Sequence, residues 1–135
     1  MRVREFVGLG LACVMAVSGA AVADTGEAAG ARTVNDAVYT KSQARDGKRL
    51  FRDNCQMCHD RKYFGPVLRA WDGRTVGMLF QTMSSTMPMD NPGALMREDY
   101  VNILAYILDE NGYPDGEAEL DFRGGVLDGI VIAQP

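Results

Sequence analysis

The chain has few of the residues that bind metal ions or form disulfide bonds. Its 135 residues include one histidine, His59, and three cysteines, Cys13, Cys55 and Cys58. A structural zinc site needs four ligands, and no second Cys/His pair is present to complete one. A redox-active Cys-x-x-Cys pair is expected beside a βαβ pattern, and the sequence shows no such pattern. These absences count against both common explanations of a close cysteine pair.

Basic charge is scarce in the C-terminal part of the chain. Residues 98–135 contain nine acids and a single base, Arg123, whereas residues 41–74 contain nine bases and four acids. Loss of residues 1–23, with two bases and one acid, would change the net charge from −4 to −5. A net negative charge of this size argues against a nucleic-acid partner.

The remaining cysteines and the histidine stand together as Cys55-Gln56-Met57-Cys58-His59. Cys-x-x-Cys-His is the attachment signature of a c-type haem. One helical turn presents both sulfurs to the two vinyl groups of the porphyrin, and each thiol then forms a thioether bond. The adjoining histidine lies under the iron as its proximal ligand. The sequence therefore predicts one covalent haem c, bound by Cys55, Cys58 and His59, with His59 on the iron.

Residues 1–23 have the features of a secretory signal peptide. Arg2 and Arg4 precede an apolar run, and Ala21-Val22-Ala23 is a small-x-small cleavage site. The alternative is a membrane anchor, but the run is short and glycines interrupt it, which favours cleavage. Because bacteria attach c-type haem outside the cytoplasm, we expect a periplasmic protein with no stable membrane span after cleavage.

The rest of the chain reads as one small domain with two flanks. Residues 24–38 have no periodicity and are predicted to be a flexible leader. Residues 39–116 contain the helical segments and form the domain. Residues 117–135 contain acids, a Gly124-Gly125 break and an apolar end, so this tail can fold back onto the domain.

Three helices are predicted within the domain. The first begins after Ser42, a candidate N-cap, and runs into the haem motif. Thr75 can cap a second helix over residues 76–84, and a third, with a broad apolar face, ends at Asn111-Gly112. Gly47 in the first helix either allows another element to approach closely or occupies a surface position.

Methionines after the second helix are candidates for the sixth iron ligand. A thioether is the usual ligand opposite histidine in electron-transfer cytochromes c. Met87 precedes Pro88, which favours an extended conformation and frees its side chain to reach across a pocket. Met89 competes, because residues two apart in an extended segment point the same way, and Met83 is a more remote candidate. The prediction is Met87, with Met89 left open.

Residues 60–71 read as a loop containing Gly65-Pro66. A haem histidine normally donates its other ring nitrogen to a carbonyl, and Pro66 is the candidate acceptor; the alternative is an ordinary turn proline. Trp71 carries an indole donor that a haem propionate would accept, with Arg69 or Arg74 as the counter-ion. The alternative for Trp71 is packing in the core.

Over about residues 39–116 the chain resembles the class I cytochrome c family. The resemblance implies an all-α fold, a small helical domain wrapped around one covalent haem, in which the first and last helices cross. In that crossing, Gly47 and Phe51 would pack against Ile103 and Tyr106. The residues that carry the resemblance are Gly47, Phe51, Cys55, Cys58, His59, Gly65-Pro66, Met87-Pro88 and Ile103-Leu104-Ala105-Tyr106-Ile107-Leu108.

A narrower resemblance covers residues 71–75, residues 87–95 and Tyr100. These stretches look like periplasmic cytochromes that serve quinoprotein alcohol and sugar dehydrogenases. Two positions depart from the family: Asp60 replaces a frequent glycine after the histidine, and Met96 stands where a Ser or Thr N-cap is expected.

Three functions are compatible with these residues. The first is a one-electron carrier, not an enzyme, that accepts electrons from a dehydrogenase and passes them to a terminal oxidase or another cytochrome. The others are a cytochrome subunit of a dehydrogenase complex, and an enzyme or sensor with an open sixth site. The carrier is favoured because methionines follow a helix and no distal histidine exists. Five basic residues have two possible roles: they lie around the haem edge, or they form a solvated helix face. These residues are Lys41, Lys48, Arg49, Arg61 and Lys62.

Overall fold

The computed structural model describes residues 31–135. The predicted signal peptide, Cys13 and residues 24–30 of the leader lie outside the described residues. The described chain confirms the all-α class, since the elements of any length are helices. The elements are β1 Arg32–Thr33, α1 Lys41–Asn54, α2 Phe64–Ala70, α3 Val76–Thr86, α4 Arg97–Glu110, a 3-10 segment Arg123–Gly129 and β2 Ile130–Val131.

Helix α1 begins after Thr40, two residues earlier than the Ser42 cap expected from the sequence. The Thr40 hydroxyl accepts from the Gln43 backbone N–H, and the Gln43 side chain accepts from the Thr40 N–H, both at 3.3 Å. This reciprocal pair is a capping box, with the signature Thr-x-x-Gln. Ser42 therefore lies inside the helix, where its hydroxyl caps nothing.

Helices α1 and α4 cross at Gly47, as the family resemblance implied. A Cβ atom built on Gly47 would lie 1.7 Å from the Asn102 carbonyl oxygen, so only a glycine allows this approach. One turn further along α1, the Phe51 ring packs on Tyr106 with centroids 5.3 Å apart. The crossing buries Ile103 almost completely and forms the centre of the core.

Residues 60–71, expected to be a loop, contain helix α2. Pro66 is the third residue of this helix. The first-turn N–H groups of a helix have no partner within it, so the missing N–H of proline costs little there. Gly65-Pro66 therefore belongs to a helix start, and the reading of the dipeptide as a loop signal was wrong.

The two flanking segments pair with each other beside the helices. Strands β1 and β2 are parallel, with Arg32 opposite Ile130 and Thr33 opposite Val131. Val34 and Val38 are fully buried, so the described part of the leader, residues 31–38, is not the flexible segment that was predicted. The N-terminal flank thus contributes to the core although it has no helical periodicity.

The tail folds back onto the domain and binds it through backbone hydrogen bonds. The Ile132 N–H donates to the Arg74 carbonyl, and the Gly73 N–H donates to the Ile132 carbonyl, both at 2.8 Å. Gln43 adds a second tie, because its side-chain amide exchanges two 2.8 Å hydrogen bonds with the backbone of Leu120. Within residues 31–135, no helix is long and apolar enough to cross a membrane.

Candidate haem site

The Cys-x-x-Cys-His motif forms a tight turn at the C-terminal end of α1. Cys55 caps the helix, and its N–H donates to the Phe51 carbonyl at 2.8 Å. Its own carbonyl accepts from the N–H groups of Cys58 at 3.1 Å and His59 at 2.9 Å. The two thiols and the imidazole are therefore presented by one turn, which is the arrangement that the spacing predicted.

Both thiols of the motif are available for chemistry. Cys55 and Cys58 are free, the first half-buried and the second exposed. Burial raises the pKa of the Cys55 thiol. Residues 31–135 contain no cluster of three or more His, Cys, Asp and Glu side chains that could bind a metal ion.

His59 fits the role of a metal ligand. Its Nδ1 atom is buried and has no hydrogen-bond partner among the described residues. The ring lies against two aromatic neighbours, with centroids 4.2 Å from Tyr63 and 5.8 Å from Phe64. The imidazole makes no hydrogen bond to any described residue, so it is free to ligate haem iron through its other ring nitrogen, Nε2. Two free thiols and this imidazole on one turn fit a covalent haem c.

The hydrogen bond predicted from His59 to the Pro66 carbonyl is not formed in this structure. Pro66 is exposed in the first turn of α2, and the buried Nδ1 of His59 has no partner among residues 31–135. The prediction assumed a loop that passes beside the histidine, whereas helix formation directs the carbonyls of this turn along the helix axis. The sequence did not reveal Tyr63, the ring that contacts the imidazole most closely.

Met87 ends helix α3 in an extended conformation, as the following proline predicted. Its backbone angles are φ −123° and ψ 153°, and its N–H donates to the Met83 carbonyl at 2.9 Å. The Met87 side chain is half-buried, whereas Met89 is 78% exposed. Of the two methionines beside Pro88, Met87 is therefore the less exposed.

Tyr100, which the narrower resemblance includes, contacts this methionine segment. Its hydroxyl donates to the Met87 carbonyl at 2.6 Å. The signal was present in the residue type, because a tyrosine on a buried helix face needs an acceptor for its O–H. Which carbonyl it reaches could not be read from the sequence.

Trp71 follows α2 and packs half-buried against the core. The Arg74 guanidinium lies 5.2 Å from the centre of the indole ring, a cation–π distance. Arg69 is in the last turn of α2, two residues before Trp71. The structure thus brings Arg74, one of the two candidate counter-ions, to Trp71, and the propionate role of this pair stays a prediction.

An ion pair joins the segment after His59 to the end of α4. Arg61 pairs with Glu110, and the guanidinium, with a contribution from the Tyr106 hydroxyl, holds the pKa of Glu110 below its usual value. Burial, followed by the neighbouring Glu110, raises the pKa of Tyr106 to about 12. Beside this pair on α4, Asp109 binds Lys41 at 2.5 Å. Two bases assigned to a possible haem-edge ring are therefore paired with acids.

A groove of about 490 Å³ lies elsewhere, between the outer face of α3 and the tail. Its lining includes Met78, Gln81 and Ser85 from α3, Arg97 from α4 and Asp128 from the tail. None of the predicted haem residues lines it. The geometry of the motif, and not this groove, therefore defines the haem site.

Comparison with known families agrees with the site. Residues 42–107 match the family described as cytochrome c oxidase, cbb3-type, subunit III. The match covers just under half of the chain, begins in α1, includes the haem motif and Met87, and ends in α4. Comparison with curated proteins and with solved structures gave no match.

The matched segment is similar to a cytochrome c domain, and the cofactor that this match and the motif imply is covalently bound haem c with iron. Cys55 and Cys58 are the attachment residues that fit this cofactor. A domain of this class transfers electrons between redox proteins.

Proposed function

We propose that the protein is a periplasmic carrier of single electrons, with one haem c whose iron is ligated by His59 and Met87. The observation that carries this proposal is the conformation of Met87. It is extended at the end of α3, half-buried, and fixed through its backbone, while its competitor Met89 is exposed. A methionine held in this way suits a permanent ligand better than an open coordination position.

Each part of the site has a defined task in this proposal. When bound, the haem supplies a ferrous/ferric couple that accepts and releases one electron. Cys55 and Cys58 would hold it covalently, and His59 and Met87 would ligate its iron. A sulfur ligand favours the ferrous state, which raises the reduction potential and excludes external ligands. Trp71, with Arg74 beside it, would hold a propionate.

The proposed partners are redox proteins of the same compartment. The resemblance of residues 71–75 and 87–95 to cytochromes that serve quinoprotein dehydrogenases supports such an enzyme as the electron donor. A terminal oxidase or another cytochrome would be the acceptor. The periplasmic location depends on the signal-like features of residues 1–23 and on the chemistry of haem attachment.

A second candidate is a cytochrome subunit held in a larger redox complex. It is favoured by the matched family, which is described as a subunit of an oxidase. The two candidates differ in size in solution. A carrier purifies as a single chain from mild extracts, whereas a permanent subunit elutes with its complex and remains in it at high salt.

The ligation is tested by visible spectra of the purified holoprotein and of two methionine variants. We expect a low-spin protein that binds carbon monoxide poorly and shows the weak far-red band of sulfur-bound ferric haem. Met87→Ala should abolish this band, lower the reduction potential and admit carbon monoxide. Met89→Ala is the matched control and should keep the band.

The opposite pattern would separate the two parts of the proposal. If Met89→Ala loses the band and Met87→Ala keeps it, the ligand assignment is wrong and the carrier function stands. Ready binding of carbon monoxide by the native protein would instead favour an enzyme or sensor with an open sixth site.

A further inference from the structure

Both backbone groups of Met87, its N–H and its carbonyl, form hydrogen bonds. Its carbonyl accepts two hydrogen bonds, from the Tyr100 hydroxyl at 2.6 Å and from the Gly93 N–H at 3.2 Å. Its N–H donates to the Met83 carbonyl at 2.9 Å. These bonds restrict the positions that the thioether can occupy.

Tyr100 is well suited to hold this position because it is itself fixed in the core. The residue is 2% exposed and lies in the first turn of α4, the helix that crosses α1. A hydroxyl removed from water needs a hydrogen-bond partner, and the Met87 carbonyl is that partner. The bond therefore connects the methionine segment directly to a buried helix.

The loop after Met87 has few other ties to the domain. Residues 89–94 are exposed, and their backbone hydrogen bonds stay inside the loop or return to residue 87. In the described part of the chain, Tyr100 makes the only side-chain hydrogen bond to any of residues 87–96. Without its hydroxyl, the remaining hydrogen bonds at the start of this loop would all join backbone groups.

We propose that Tyr100 is a positioning residue that keeps the Met87 thioether at the haem iron. This inference rests on the proposed ligation by Met87. Tyr100 acts through the Met87 backbone and does not touch the iron. An external ligand can bind only when the sulfur has moved away, so the population of the opened loop sets its rate of binding. Loss of one typical hydrogen bond raises that population about fivefold.

The test compares two Tyr→Phe variants of the complete ferric holoprotein. Tyr100→Phe removes the hydroxyl and keeps the buried ring. Tyr39→Phe is the matched control, because the Tyr39 hydroxyl also donates to a backbone carbonyl, that of Tyr113 at 2.7 Å. The Tyr39 hydroxyl lies near Asp109 of α4. Asp109 follows Tyr100 by nine residues, which corresponds to about 13 Å along the helix at 1.5 Å per residue.

Cyanide is the probe, and its binding rate is measured beside the far-red sulfur band and the unfolding temperature. We expect Tyr100→Phe to retain the band at low temperature, to lose it on heating before the wild type does, and to bind cyanide about fivefold faster. Tyr39→Phe should lower the unfolding temperature to a similar extent and leave the cyanide rate unchanged.

Four results would overturn the proposal, and two of them would also reject ligation by Met87. Equal cyanide rates in the wild type and Tyr100→Phe would reject the positioning role while Met87 ligation stands. Equal acceleration in both tyrosine variants would also reject it, because the effect would then follow global stability. Absence of the band in the wild type, or its persistence in Met87→Ala, would reject the ligation and the positioning role together.

Discussion

At the scale of single residues, Gly47 shows how strongly the fold depends on one absent methyl group. The Asn102 carbonyl of α4 occupies the space that a Cβ atom would need. The obstacle is backbone, which cannot move aside as a flexible side chain can. The sequence left two explanations for this glycine open, and the structure decides for close approach of a second helix.

Gly47→Ala is therefore expected to destabilise the protein although alanine is the better helix former. Alanine gains up to about 1 kcal/mol of helix propensity, whereas separation of two packed helices costs more. We expect a net loss of about 2 kcal/mol in the free energy of unfolding, measured by denaturant titration of the holoprotein. Gly129→Ala is the control, because nothing lies within 4 Å of a Cβ at that position. Equal stability of wild type and Gly47→Ala would contradict the crossing described above.

At the scale of elements, the haem-binding turn is tied at both ends to the crossing helices. It begins at the last residues of α1, where Cys55 caps the helix. Two residues beyond His59, Arg61 pairs with Glu110 at the end of α4. The Glu110 side chain is 19% exposed, so its carboxylate is better shielded than the other carboxylates in ion pairs of the described chain. The pair thus links the segment after the haem motif to the helix that closes the fold.

Glu110→Gln tests this link through its pH dependence. Because the folded-state pKa of Glu110 lies below the usual value of 4.5, the ionised carboxylate stabilises the folded protein. That contribution is fully present above pH 4.5 and is lost as the pH falls through the lower folded-state pKa. We expect Glu110→Gln to unfold more easily at pH 7, by a small amount typical of ion pairs with one exposed partner, and the difference to shrink in acid.

The control for this experiment is Asp46→Asn, which removes the pair with Arg49 inside α1 and joins no two elements. Its effect on unfolding at pH 7 should be smaller. A Glu110→Gln difference that stays constant from pH 7 into acid would show that the ion pair does not stabilise the fold.

At the scale of the whole molecule, charge is divided between the two halves of the sequence. Three of the five bases considered for the haem edge have acidic partners: Lys41, Arg49 and Arg61. Lys48 and Lys62 have no ion-pair partner within residues 31–135, and both are exposed. If the basic half of the chain steers association with an acidic redox partner, these two lysines should contribute most, because no ion pair neutralises their charge.

Steering predicts that electron transfer with an acidic physiological donor slows as salt is added. Screening shortens the range of the attraction, so the association rate should fall about tenfold or more between low and high ionic strength. Lys48→Gln and Lys62→Gln should each lower the rate at low salt and weaken its salt dependence. Arg123→Gln, in the acidic half, is the control. A rate that rises with salt, or does not change, would reject steering by this surface.

Local chemistry explains which features could be predicted from the sequence. The spacing of Cys55, Cys58 and His59 specifies haem attachment because the geometry of one helical turn is the same in any fold. The break at Met87 follows from a restriction that proline imposes on its neighbour. Thr75 was recognised as a cap because the N-cap interaction spans three residues, and its hydroxyl does accept from the Met78 N–H.

Tertiary structure decided everything that depends on residues distant in the chain. Helix α2 forms where the Gly65-Pro66 dipeptide predicted a loop, because proline is compatible with the first turn of a helix. The N-terminal flank became ordered because β2, about a hundred residues later, supplies its backbone hydrogen-bond partners. The acceptor of the Tyr100 hydroxyl was likewise set by how α3 and α4 meet. The sequence by itself determined the cofactor and its attachment, because these depend on covalent spacing, whereas packing determined which groups contact His59 and Met87.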